Sequence, residues 1–206
     1  MLLYMIRHGE TDQNKEKRLQ GRSDIELNAY GRELAQITAG ALQKVAFDRI
    51  YTSPLKRAKE TAYILKGDRQ IPIIIEKRIQ EISFGEYEGH CYKKENYDIP
   101  DPDFNFFFTA PEKYRPAPSG ESFEAIIART GAFLKELVSN PDLQDQTVLL
   151  STHGCALKAL LANITHCPLS DFWGTGVYKN CGVAIVEIQN GKMRLLEDGK
   201  LYYPLP

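Results

Sequence analysis

Two histidines, two arginines and one carboxylate carry the chemistry legible in this 206-residue chain. Arg7-His8-Gly9-Glu10-Thr11 follows a short apolar run, and Thr52-Ser53-Pro54 stands just before Arg57. Glu81 follows a β-branched run, and Ser151-Thr152-His153-Gly154 closes a further apolar one. A neutral imidazole is a competent nucleophile near pH 7. Arginine presents a planar fork that pairs with phosphoryl oxygens in bidentate fashion. A nearby carboxylate can move a proton. This set suits a dianionic phosphoryl group better than a divalent metal, because guanidinium neighbours repel the cation and are not metal ligands. Backbone N–H groups near Gly9 or Gly154, at a helix start, would add donors and a favourable dipole. Singly, Arg57 reads as a solvated helix-face charge, Glu81 as a surface carboxylate and His153 as a core histidine. Their shared placement at successive strand ends favours a site.

The elements that must position these residues follow from periodicity. Leu2 to Ile6, Arg49 to Thr52, Ile71 to Glu76 and Thr147 to Ser151 read as buried strands. Between them, Asn28 caps a helix with apolar residues from Leu34 to Val45, while Ser53 and Pro54 look like the N-cap and first position of a helix reaching Lys66. Ser122 to Ser139 is amphipathic, and Cys155 to Ile164 is a short helix. Gly182 to Ile188 and Lys192 to Glu197 flank Asn190-Gly191, a hairpin signal. Residues 9 to 28 read as a polar loop. Residues 86 to 121, rich in Pro, Asp and aromatics, read as a partly helical excursion over one end of the domain, with Phe104 to Phe108 as packing. The expectation is an α/β three-layer sandwich with a mainly parallel central sheet flanked by helices and an antiparallel edge. In open sheets of this kind ligands bind beyond the carboxyl ends of the strands.

Bulk properties narrow the class. Hydrophobic residues make up 43% and charged residues 26%, ordinary for a globular domain with a real core. A net charge of −1 does not favour nucleic acid or an anionic membrane. No run reaches the apolar length of a membrane span, and Arg7-His8 interrupts the N-terminal apolar run too early for a signal peptide. Cys91, Cys155, Cys167 and Cys181 match no zinc spacing and read as reduced thiols, so the expected compartment is the cytoplasm.

Arg7-His8-Gly9-Glu10-Thr11 resembles the signature of the histidine phosphatase superfamily, the phosphoglycerate mutase-like family. The likeness continues through Arg18 to Asp24, Thr52 to Ala58, Glu81 to Gly89, Gly120-Glu121-Ser122 and Ser151 to Gly154, in family order. It implies one domain over residues 1–206 with residues 86–121 as a lid insertion. It also implies a metal-independent, cofactor-free phosphomonoester hydrolase acting on a small phosphorylated metabolite through a phosphohistidine intermediate. His8 then matches the nucleophile, and Arg7, Arg57 and His153 the residues that bind the transferring group. Glu81 matches the proton donor. Asn14, Gln20, Gly21 and Gly154 match other parts of the phosphate-facing wall. Two alternatives remain: phosphoglycerate mutase-type transfer, and a phosphate-binding module without turnover. Glu86-Tyr87-Glu88-Gly89 after Glu81 resembles the phosphatase branch. Neither the physiological substrate nor the oligomeric state is legible.

Overall fold

Strand β1 (Leu2–Arg7) turns Leu3 and Met5 to one side of the sheet and Ile6 to the other. The same period of two divides Val148 and Leu150 from Leu149 in β4 (Thr147–Thr152), and Ala184 and Val186 from Val183 and Ile185 in β5 (Val183–Gln189). Two apolar faces need two covering layers. Helices α2 (Ala29–Ala41) and α3 (Lys56–Lys66) cover one with Leu34, Ala35, Ala62 and Leu65. Helices α5 (Phe123–Ser139) and α6 (Gly154–Thr165) cover the other with Phe133, Leu134, Leu157 and Leu160. The remaining elements are α1 (Asp12–Lys15), β2 (Arg49–Thr52), β3 (Ile73–Ile75), α4 (Phe106–Thr109) and β6 (Lys192–Lys200). This computed structural model describes residues 1–204, so the last two positions of the expected 1–206 domain lie outside the described residues.

The six strands lie in the order β3-β2-β4-β1-β5-β6. β3, β2, β4 and β1 run parallel, β5 pairs antiparallel with β1, and β6 pairs antiparallel with β5. The architecture is the expected mainly parallel sheet between helical layers. The register sets Arg7 opposite Thr152 and Thr52 opposite Ser151, so the chain leaves three neighbouring strands at one end of the sheet. Asn190 (φ 51°) and Gly191 (φ 74°) form the hairpin turn between β5 and β6.

Local details differ from expectation where a distant partner wins. Ser53 does not cap α3: the helix starts at Lys56, its N-cap Leu55 has no side-chain cap, and the Ser53 hydroxyl lies 2.7 Å from His153 Nε2. β3 covers Ile73–Ile75 of the expected residues 71–76, and Pro72 before it has no N–H to give. α2 stops at Ala41, short of Val45. Residues 9–28 contain the one-turn α1, closed by a capping box between Thr11 and Asn14.

Residues 86–121 hold short 3₁₀ turns and the single turn α4. Aromatic packing fixes them more than helix does. Phe107 stacks on Phe123 at 5.1 Å and meets Trp173 edge-on at 5.2 Å, while Trp173 Nε1 donates to the Phe107 carbonyl at 2.5 Å. Phe104 is fully buried in the same cluster. No helix among the described residues is long and apolar enough to cross a membrane.

Candidate active site

His8 is the first residue after β1 and is buried. Its backbone N–H donates to the Thr152 carbonyl at 2.9 Å, tying it to the end of β4. Two contacts set its tautomer. Nδ1 lies 2.6 Å from the Gly9 carbonyl, which can only accept, so Nδ1 carries the proton. Arg57 Nε, which can only donate, lies 3.2 Å from Nε2, so Nε2 carries the lone pair. The ring is thus neutral, with its nucleophilic nitrogen against a guanidinium group.

Arg57, in the first turn of α3, is fully buried. Besides His8 it donates through Nη1 to the Ser23 carbonyl and through Nη2 to the Gly21 carbonyl, both at 2.7 Å. Burial pulls its pKa down to about 10. Arg7 Nη1 donates to the Tyr178 carbonyl, and its Nε is buried without a protein partner among the described residues. Burial lowers the Arg7 pKa as well, with Glu81 the strongest opposing influence. The His153 ring stands 5.1 Å from that of His8 between centroids. Its Nε2 pairs with Ser53, and its Nδ1 is buried and unpartnered.

Glu81 reaches the N-terminus of α6. Its Oε1 accepts from Ala156 N at 3.0 Å and Ile82 N at 2.9 Å, and its Oε2 accepts from Cys155 N at 3.1 Å. Cys155 N and Ala156 N are orphan amide donors of the α6 start, and they hold the Glu81 side chain in place. Asn14 Oδ1 accepts from Thr11 N and Asn180 Nδ2, both at 3.2 Å, which leaves the amide nitrogen as the group with capacity to donate. Gln20 is buried with an unpartnered Oε1. Gly21 has φ 52°, and a Cβ there would collide with Glu88 Oε1. Glu88 accepts from Arg22 N at 2.8 Å and Ser23 Oγ at 2.7 Å, stapling this loop to the segment after Glu81. A Cβ on Gly154 would stand 2.9 Å from Val177 Cγ1, so any larger residue there must displace the Val177 side chain, while Arg7 Nε, 3.6 Å away, lies within ordinary contact.

Most of these residues share one cleft. Arg7, His8, Asn14, Gln20, Gly21, Arg57, Glu81 and Gly154 all line it. His153 does not: it stands behind His8, with no exposed surface. The expected Gly9 N–H donor is also elsewhere, because it is committed to Thr61 Oγ1 at 3.0 Å. The sequence reading missed the apolar and aromatic lining of the cleft, made by Leu19, Phe84, Tyr92, Phe108, Trp173 and Val177. Phe107 and Phe108 both pack and face the cleft, so the aromatic run serves both purposes. Cys155 lines it too, but burial pushes its thiol well above the ordinary range, which makes it a poor nucleophile.

Burial is the main cause that holds His8 and His153 well below the usual histidine value of 6.5, and Arg57 adds to it at both rings. Above pH 6.5 folded and unfolded chains both carry neutral rings. Below it the unfolded chain takes up protons that the folded chain refuses, so stability falls as pH falls, by up to about 1.4 kcal/mol per pH unit for each ring. Urea unfolding between pH 6.5 and 5.5 is expected to show this slope, and His153→Gln to make it shallower by one ring's share. An unchanged slope in that variant would mean that His153 protonates normally in the folded state.

Comparison with known proteins agrees with this geometry. The family model described as histidine phosphatase superfamily (branch 1) matches residues 3–199. The solved structure of Bacillus stearothermophilus YhfR superposes with a TM-score of 0.90 at 35% identity, covering 97% of each chain. A mycobacterial glucosyl-3-phosphoglycerate phosphatase, in complex with VO3, superposes with a TM-score of 0.84 at 29% identity, covering 96% of this chain and 98% of its own. The adenosylcobalamin/alpha-ribazole phosphatase of Escherichia coli (strain K12) is 30% identical over 191 residues, 90% of this chain and 89% of that protein. With a lone-pair imidazole against the buried Arg57 guanidinium and a family match over residues 3–199, from β1 to β6, the chain belongs to the histidine phosphatase superfamily.

Proposed function

We propose that this chain hydrolyses small phosphate monoesters without a metal ion, through a phosphohistidine at His8. One observation carries the reading: the His8 Nε2 lone pair opens on a cleft that also presents Arg7, Arg57 and Glu81. The phosphoryl group displaces the Arg57–His8 contact, and Arg57 then donates to a phosphoryl oxygen. Arg7 Nε, which lacks a protein partner, supplies a further donor, and His153 backs the His8 ring from behind. Nε2 attacks phosphorus as the ester P–O bond breaks, and Glu81 protonates the departing oxygen. Water then attacks phosphorus and gives its proton to Glu81. The P–N bond breaks, phosphate leaves and neutral His8 returns. Fixed cationic donors stabilise the charge on the equatorial oxygens throughout.

The aromatic and aliphatic lining gives the leaving group an apolar surface. Three of the four Lys and Arg side chains of residues 86–121 have partners elsewhere: Lys93 pairs with Glu95 at 3.6 Å, Lys113 lies over the Phe106 ring at 5.7 Å, and Arg115 donates to the Tyr114 carbonyl at 3.0 Å. None of them lines the cleft, and Arg18, which does, is already engaged by Glu16 at 2.9 Å and the Gly89 carbonyl at 2.8 Å, so the cleft offers little to hold a phosphoglycerate carboxylate and hydrolysis is favoured over mutase transfer. Residues 86–121 act as a fixed lid in this reading. A reducing cytoplasm suits the free thiols.

The direct test is release of phosphate from an aryl phosphate in excess chelator. Sustained turnover supports the enzyme. Phosphate binding without turnover supports a binding module instead, and loss of turnover on chelation would point to a metal. Glu81→Gln is expected to slow alkyl esters by about 10²-fold or more and aryl esters much less, because only a poor leaving group needs its proton. Equal losses on both would remove Glu81 from the acid role.

A further inference from the structure

Asn180 lies in the turn between α6 and β5, outside every sequence block that pointed to the site. Its side-chain nitrogen donates to the His8 carbonyl at 3.0 Å and to Asn14 Oδ1 at 3.2 Å. Backbone atoms decide both amide orientations. The His8 carbonyl can only accept, so the Asn180 group facing it is the NH2. The Thr11 N–H can only donate, so the Asn14 group facing it is the oxygen. The Asn14 NH2 is therefore directed away from this network, on a residue that lines the cleft. The turn is itself held at several points. Tyr203 Oη donates to the Asn180 carbonyl, Cys181 N donates to the Arg7 carbonyl at 3.0 Å, and the Tyr178 carbonyl receives Arg7 Nη1. A single rigid turn thus touches Arg7, His8 and Asn14.

We infer that Asn180 is a positioning residue for phosphoryl transfer: it fixes the carbonyl of the nucleophile's peptide and holds the Asn14 carboxamide with its NH2 toward the phosphoryl group. The inference rests on the phosphatase reading above and adds to it a residue that never meets the substrate.

A double-mutant cycle on aryl phosphate hydrolysis, with vanadate inhibition and thermal unfolding measured alongside, tests it. Asn180→Ala is expected to lower kcat/KM about tenfold and to weaken vanadate inhibition similarly, the size expected when one donor to an anion is misaligned. Asn180→Asp is expected to lose more at a similar side-chain volume, because a carboxylate offers no donor to the His8 carbonyl or to Asn14 Oδ1. With Asn14 already changed to Ala, Asn180→Ala should cost less than about threefold, since the coupled partner is gone. Losses that multiply independently would overturn the inference. So would Asn180→Ala with a lowered unfolding temperature and wild-type kcat/KM. Absence of turnover in the wild type would instead count against the phosphatase reading, and vanadate binding would still report the coupling.

Discussion

His8→Ala is expected to lower phosphomonoester turnover by at least about 10⁴-fold, in line with removal of the nucleophile from a concerted catalytic group. Two imidazoles stand close enough to compete for this role, and the geometry separates them. His8 lines the cleft and holds its Nε2 lone pair toward Arg57 Nε. His153 does not line it, and its Nε2 is occupied by Ser53. The substitution removes a buried ring but leaves the backbone bond from His8 N to the Thr152 carbonyl, so β1 and β4 should stay paired. His8→Asn, closer in volume, guards against collapse of the site. Rapid quenching with a radiolabelled ester is expected to leave an alkali-stable, acid-labile label on the wild type and none on either variant. Turnover above about a tenth of wild type in both would assign the attack to water or another side chain. Because burial and Arg57 hold the ring neutral, kcat/KM should not show a His8 limb between pH 7.5 and 6.5. An imidazole left in solvent would begin to lose its lone pair there.

The sequence could reveal those parts of the molecule that local patterns encode. Apolar runs marked the strands. Asn28 caps a helix as its side chain suggests, accepting from Gly31 N, and Ser122, read as the first residue of its helix, is in fact that helix's N-cap and accepts from Ala125 N. Asn190-Gly191 makes the hairpin. The reacting residues were legible because each stands at or just beyond a strand end and within a family block. What stayed hidden depends on pairs far apart in sequence. Ser53 looks like a helix cap to any local rule, yet its hydroxyl serves a histidine 100 residues away. Gly9 offered an N–H for an anion, but Thr61 takes it. The aromatic wall draws Phe84, Phe107 and Trp173 from three separate segments, and no periodicity links them. Asn180 meets His8 and Asn14 across 172 and 166 residues. Local rules see propensities, whereas the cleft is built by tertiary partners that outbid them.

Arg57→Lys is expected to lose about 10²–10³-fold in kcat/KM, as for removal of a preorganised charge-stabilising donor, although the formal charge is kept. The reason is directional. The guanidinium donates along three vectors at once, to His8 Nε2 at 3.2 Å and to the Ser23 and Gly21 carbonyls at 2.7 Å. An ammonium on a longer flexible stem is a single point and cannot reproduce that fork. Its loss leaves buried carbonyls short of donors, each costing about 1–3 kcal/mol, so the unfolding temperature should fall as well. Stability loss alone would not explain the kinetics if vanadate binding weakens in the folded variant, and that measurement separates the two effects. A folded Arg57→Lys enzyme with wild-type vanadate affinity and turnover would take Arg57 out of the phosphate site and leave it a structural strut. The buried position makes that outcome hard to reconcile with physics. A cation with no exposed surface must be held by acceptors of its own, and here one of the three is the lone pair of the nucleophile. That arrangement is sensible only if the lone pair is to be exchanged for phosphoryl oxygens when substrate arrives.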